Sequence, residues 1–175
     1  NIVFILYLST MMIPITVRLI PSYNLCRNLN MLDTYMGMIL PQVAWSIPFG
    51  TFLMRQFYMG IPKQLDEAAK IDGANHFQIF WKILLPNTKS SMTTLGIYTF
   101  ISAWNNLIWM LLSVRSEGKW TVTLGISSIC GASVIKQPTW NLIMGVIVIG
   151  MIPVLILFFA LQKYFMQSVA ATGIK

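Results

Sequence analysis

The sequence predicts an all-α protein that crosses a membrane several times, and three observations carry that expectation. Of 175 residues, 56% are hydrophobic and only 10% charged, with a mean hydropathy of +0.68. A water-facing surface needs more; soluble domains carry roughly 25% charged residues. The charges are also gathered rather than spread, leaving four uncharged runs: Asn1–Val17, Thr34–Met54, Ser90–Val114 and Gln137–Gln162. Finally, 11 Gly, 8 Pro and 2 Cys fit neither a disordered tail, a collagen nor a disulfide-framed secreted domain.

The chain enters its first run directly at Asn1, without the basic segment and small-residue cleavage site of a signal peptide, so it is expected to begin inside a membrane helix. The other three runs are each long enough to cross a hydrocarbon core of about 30 Å, which takes some 20 helical residues. The expected spans are about 1–20, 35–55, 90–112 and 141–162. Pro14, Pro41, Pro48 and Pro153 fall inside them, and kinks rather than stops are expected there, because neighbours in a bundle can satisfy the freed carbonyls. Arg18, near the end of the first span, is expected to snorkel outward. Cys26 and Cys130 fall on one side of this topology; two unpaired thiols are expected, with a disulfide open to them only if they meet.

Between the second and third spans lies a polar island from Arg55 to Lys89, carrying Arg55, Lys63, Asp66, Glu67, Lys70, Asp72, Lys82 and Lys89. With Lys163 and Lys175 it makes its side richer in Lys and Arg than the other, which has Arg27, Arg115, Lys119 and Lys136. The positive-inside rule therefore puts the island and the C-terminus in the cytoplasm. The net charge of +7 is explained by this topology, and no basic stripe with interleaved aromatics points to nucleic acid.

Within the island, Pro62 suits the first position of a helix and Lys63–Ile71 has no breaker. Gly73 stands where a helix C-terminus wants a left-handed residue. Asn75 and Gln78, three apart, have the pattern of a capping box for a second helix. Along it Phe77, Phe80, Trp81 and Leu84 follow the spacing of one helix face, and Pro86 is expected to end it. A helical elbow with small residues at its bend, exposed and partly acidic, can enter a groove in another protein. The plainer alternative, an amphipathic hairpin lying on lipid headgroups, is usually Lys- and Arg-rich, whereas Glu67 and Asp72 flank this bend.

These residues form a pattern. Glu67-Ala68-Ala69, Asp72-Gly73-Ala74, Phe80, Ile83 and Leu85-Pro86 resemble EAA-x2-DGA-x5-F-x2-I-x-LP, the signature loop of permease subunits in ATP-binding-cassette (ABC) importers. Met11-Met12-Ile13-Pro14, Ile20-Pro21, Leu32-Asp33-Thr34-Tyr35, Phe100, Trp104-Asn105, Trp109 and Gln162-Lys163-Tyr164-Phe165 are similar to the carbohydrate-type group of these permeases, which includes maltose and glycerol-3-phosphate importers. Asn106 and Met110 depart from it, standing where the group often has an acid and a proline.

The resemblance implies a type I ABC importer transmembrane fold, four of six expected spans being present, in a bacterial or archaeal cytoplasmic membrane. It implies a cytoplasmic coupling loop at about 56–89. Its partners would be an ATPase subunit dimer, a second homologous permease subunit, an extracytoplasmic solute-binding protein and a sugar-type substrate. In that loop Gly73 would allow the bend, Ala68, Ala69 and Ala74 close approach, and Phe77, Phe80 and Trp81 would anchor the helix. Glu67 would meet a basic residue of the ATPase, and Asp72 would either cap the second helix or make an intermolecular contact.

The sequence has no phosphate-cradling G-x4-G-K-[ST] loop, no Cys/His cluster at metal spacing and a single histidine, His76, so neither enzymatic activity nor a cofactor is expected. For the solute path, Tyr98, Asn105 and Trp109 advance at helical spacing with Trp104 beside them, a set that suits a sugar's C–H faces and hydroxyls. Packing against neighbouring helices is the competing explanation, and Gln42, Ser46 and Asn141 are weaker candidates. Three other functions compete. An amino-acid, peptide or oxyanion cargo keeps the same machine. An ion-coupled secondary transporter needs ionisable residues that the four runs lack, and an intramembrane enzyme needs a base and nucleophile that are not visible.

Overall fold

The computed structural model describes residues 2–135 and 140–173, with side chains described except at 132–135 and 163–173. All regular structure among these residues is helical. Helix α1 (Ile2–Ser9) runs through a 3-10 turn (Thr10–Met12) and meets α2 (Ile15–Asn28) at a 95° bend. Pro14 stands at that bend as the N-cap of α2, where its missing N–H and fixed φ start a new helix rather than kink the old one. Long α3 (Tyr35–Met59) follows, then the island helices α4 (Lys63–Ile71) and α5 (His76–Ile79). A π-helical turn (Phe80–Leu84) leads into α6 (Leu85–Asn87) and α7 (Lys89–Trp104), which meets α8 (Leu107–Ser113) at 53°. The chain continues in α9 (Val122–Ile135) and α10 (Trp140–Gly173).

By length and composition, Tyr35–Met59 and Trp140–Gln162 can each cross a bilayer alone, and the two bent pairs reach that length as pairs. The expected spans at 35–55 and 141–162 fall within α3 and α10; those at 1–20 and 90–112 fall on the bent pairs. Helix α9 arises from the apolar stretch after Lys119, outside the four expected spans.

Pro41 and Pro48 lie inside an unbroken α3. Pro41 has no N–H to offer the carbonyl of Gly37 four residues earlier, and the indole Nε1 of Trp109 donates to that carbonyl instead, at 3.1 Å. Trp109 is wholly buried and meets Trp45 edge to face, with centroids 5.2 Å apart. Around it Leu19, Cys26, Met38, Met110, Val114 and Leu124 form the core of the end farthest from the island. Gly37 is required there, since a Cβ at that position would come within 2.0 Å of the Met31 carbonyl oxygen.

Asp33 fastens the same end. It adopts a left-handed φ of +57°, which aspartate tolerates, and its N–H donates to the Ser113 carbonyl at 2.7 Å. Its carboxylate accepts from the Ser116 hydroxyl and from the backbone N–H groups of Ser116 (3.0 Å) and Arg115 (3.1 Å). Lys119 lies 3.6 Å from it and donates to the Asp33 carbonyl. Together these hold the carboxyl well below the usual carboxylate range, the Ser116 hydroxyl contributing most. Cys26 and Cys130 are both free.

Candidate functional site

The elbow is built almost wholly from local hydrogen bonds. Helix α4 closes in a Schellman motif: Gly73, at φ +78°, donates to Lys70 at 3.0 Å, and Ala74 donates to Ala69 at 2.9 Å. Nothing lies within 4 Å of where a Gly73 side chain would begin, so backbone conformation alone demands glycine. Asn75 then caps α5 reciprocally, its Oδ1 accepting from Gln78 N at 2.8 Å while its N–H donates to Gln78 Oε1 at 2.9 Å. The cap of α5 is therefore Asn75, and Asp72 is the C-cap of α4. Pro62 stands one position before the first helical residue.

Pro86 does not end the second island helix. The turn before it widens to π geometry, with Leu85 N–H reaching back five residues to Phe80, so the helix passes the proline and runs to Asn87 before Thr88 interrupts it. Carbonyls near the irregularity are taken up by side chains: Asn87 Nδ2 donates to Ile83 at 2.7 Å and Thr88 Oγ1 to Leu84 at 3.0 Å. The helix resumes as α7 after Thr88.

The elbow presents an uncovered apolar face. Ile71 is 86% exposed, Phe77 73% and Trp81 53%, and Glu67, Ala68, Asp72 and Gly73 are exposed beside them. Ala69 is buried and Ala74 half-buried within the bend. Phe80 turns the other way, its ring 6.3 Å from Tyr58 of α3 and 5.7 Å from Trp81. It thereby joins the exposed face to the long helix.

Two cavities open between α3 and α7. The one farther from the island, about 370 Å³, is lined among others by Arg18, Gln42, Trp45, Ser46, Tyr98 and Asn106. The island-side one, about 550 Å³, is lined among others by Arg55, Tyr58, Phe80 and Leu95. Ser46 and Thr99 line both, so the two abut. The rings of Phe49 and Tyr98 meet across the gap at 4.4 Å.

This geometry sorts the expected solute-path residues. Tyr98, with Gln42 and Ser46, lines the farther cavity. The single face shared by Tyr98, Asn105 and Trp109 does not exist, because the helix stops at Trp104 and restarts at Leu107, with Asn106 Oδ1 accepting from Trp109 N at 3.3 Å. Trp109 is consequently core, Asn105 is exposed at the break, Trp104 stacks on Phe100 with centroids 5.4 Å apart, and Asn141 is exposed at the start of α10. Arg18 does not snorkel: it faces the cavity with its guanidinium carbon 5.7 Å from the Trp45 centroid. Nothing in the charge pattern flagged it, since the 95° bend that turns it inward is a tertiary feature.

A family model described as "Binding-protein-dependent transport system inner membrane component" matches residues 1–171. The chain belongs to this family. It is 38% identical over 169 residues to the sn-glycerol-3-phosphate transport system permease protein UgpE of Yersinia enterocolitica, covering 96% of this chain and 59% of that protein. It is 33% identical over 175 residues to the arabinooligosaccharides transport system permease protein AraQ of Bacillus subtilis, covering 100% and 60%. Among solved structures, a bacterial ABC transporter involved in the import of the acidic polysaccharide alginate superposes with a TM-score of 0.74 and 28% identity, over 94% of this chain and 61% of that one. The chain thus spans about 60% of the length of the curated relatives it matches. Membership makes it an inner-membrane component of the binding-protein-dependent transport family, with the fold of a chain from a bacterial ABC transporter.

Proposed function

We propose that this chain is the translocating part of a permease subunit in an ABC importer for a sugar or related solute, driven through the elbow by a separate ATPase dimer. The observation that carries this is the elbow itself, whose bend is fixed by its own hydrogen bonds while Ile71, Phe77 and Trp81 remain uncovered. A preformed apolar face bordered by Glu67 and Asp72 suits a groove with basic rims, and a partly desolvated Glu67 pair there would cost more to break than a rim pair. The names of the similar permeases support a sugar-type cargo, and the Lys and Arg excess supports a cytoplasmic island and C-terminus. A second homologous permease subunit and an extracytoplasmic solute-binding protein complete the assembly, and ATP hydrolysis belongs to the ATPase subunits.

In this mechanism closure of the ATPase dimer pulls the elbow as a rigid body. Phe80 passes the displacement on, because its ring lies between Trp81 on the elbow and Tyr58 on the wall of the island-side cavity. The test is uptake and ATP hydrolysis by the full-length complex in liposomes. Gly73→Trp or Glu67→Lys is expected to leave the complex inserted and assembled while uptake is lost from ongoing hydrolysis. Full transport by the Gly73→Trp complex would contradict the docking role.

A further inference from the structure

We infer that the cavity farther from the island is a recognition station for an anionic solute, with Arg18 as the cation that selects it. This rests on the importer reading above and names the class of solute.

The position of Arg18 is unusual for a charge. Its neighbour Trp45 lies ten residues into α3, about 15 Å along a helix that rises about 1.5 Å per residue, hence near the middle of a segment long enough to cross a bilayer. At that depth a cation is costly unless paired or facing a polar cavity, and it marks a functional site by default. The Nε of Arg18 is buried and has no hydrogen-bond partner among the described residues. None of the five carboxylates of the chain pairs with it. Asp33 is held by Ser116, Arg115 and Lys119; Asp66 pairs with Lys70; Glu67 and Asp72 are on the elbow; and Glu117 is exposed beyond α8.

What surrounds Arg18 describes its ligand. The face of Trp45 holds the guanidinium from one side by a cation–π contact, leaving the planar fork of donors to a bidentate acceptor, a carboxylate or a phosphate. Gln42 spends its amide nitrogen on the Met38 carbonyl, which leaves its oxygen as an acceptor, and the hydroxyl-bearing residues Tyr98 and Ser102 line the same space. Val43 and Phe49 supply apolar wall. The chemistry is that of a small polyhydroxylated solute carrying one anionic group. The adjoining cavity repeats the sign: Arg55 is the charged residue among those that line it, its guanidinium carbon 4.3 Å from the Phe4 centroid. A solute moving from one cavity to the other therefore exchanges one cation for a second, and no carboxylate is among the described residues that line either cavity.

The experiment uses the full-length complex with its ATPase and binding protein in liposomes. Uptake of a hexose phosphate, a galacturonate disaccharide and the neutral galactose disaccharide is compared between wild type, Arg18→Gln and Arg18→Lys. Losing a charge-assisted bidentate contact is expected to lower anion uptake in Arg18→Gln on the order of ten- to a hundredfold. Uptake of the neutral solute is the internal comparison, and the ratio of anion to neutral uptake is expected to fall by the same factor. Parallel loss for phosphate and carboxylate identifies charge as what is read, and loss for one of them identifies the group. Undiminished anion uptake by Arg18→Gln overturns the inference, as does a wild-type complex that moves the neutral solute alone. A complex that fails to assemble as Arg18→Gln but assembles as Arg18→Lys, with unchanged solute preference, overturns it too, because the cation then pairs with a carboxylate of another subunit or segment. A wild-type complex with no ATP-dependent uptake of any solute defeats the importer reading itself, a result distinct from all of these.

Discussion

The two ends of this molecule are held together in opposite ways. At the end far from the island, the decisive bonds join residues distant in sequence: Trp109 to Gly37 across 72 positions, Arg115 and Ser116 to Asp33 across 82 and 83. At the elbow they join near neighbours: Asn75 with Gln78, Gly73 with Lys70, Ala74 with Ala69. The far end gathers a small buried core around Trp109, held across distant segments, although Leu25, Met36 and Leu111 on its outside are exposed. The elbow makes its shape locally and leaves large apolar side chains uncovered. A part that must be rigid on its own needs long-range packing, whereas a part that must fit another protein needs only a fixed shape and a free face.

The largest effect that would test this contrast is expected from Trp109→Ala. Removing a fully buried indole, and with it the donor that serves the carbonyl left free by Pro41, should cost about 3–5 kcal/mol. A fall in the thermal midpoint of the purified full-length complex checks it, while hydrogen exchange at the amides of Gly73, Ala74 and Gln78 should be unaltered. If exchange at the elbow rises in parallel, the two ends are not independent.

A smaller and pH-dependent effect is expected from Asp33→Asn. The Ser116 hydroxyl, then the two backbone N–H groups and Lys119, lower the pKa of this carboxyl in the folded protein. A lowered folded pKa contributes stability above the unfolded value and loses it as the medium is acidified. The contribution is therefore complete above about pH 4 and fades below it. The variant should be less stable than wild type at neutral pH and should converge on it in acid. Thermal midpoints measured between neutral and acidic pH decide this; a constant gap at every pH would mean that the carboxylate charge is not what fastens the loop.

The same division explains what could be read from the sequence. The elbow was legible because its determinants are close together: a glycine after an unbroken helical stretch, then an asparagine and a glutamine three apart. Its misreadings depended on context beyond the next few residues: the widened turn ahead of Pro86 and the inward aim of Phe80 follow from how the helix runs on towards α7 and packs on Tyr58. The far end was largely illegible, since nothing near Trp109 in sequence says that its indole will meet Gly37. A local sign did exist for the break that removed the supposed common face, because Asn105-Asn106 ahead of a renewed apolar run has the form of a helix N-cap. Arg18 lay beyond local reading for the same reason as Trp109: its inward aim follows from the 95° turn after Met12 and from Trp45 on another helix.

The smallest effect sharpens the contrast most. Asn75→Ala removes one side of the capping box and is expected to cost about 1 kcal/mol, felt at the start of α5 alone. Because that helix spans only His76–Ile79 before the π turn, a loss of this size should raise amide exchange at Gln78 severalfold. The thermal midpoint of the complex should hardly move, since little of the far core depends on the elbow. If the elbow is the surface through which force arrives, the loosened cap should lower uptake per ATP hydrolysed while assembly persists. Restoration by Asp or Ser, which cap in the same way, and not by Gln, would tie the defect to helix initiation rather than to a direct contact made by the Asn75 side chain.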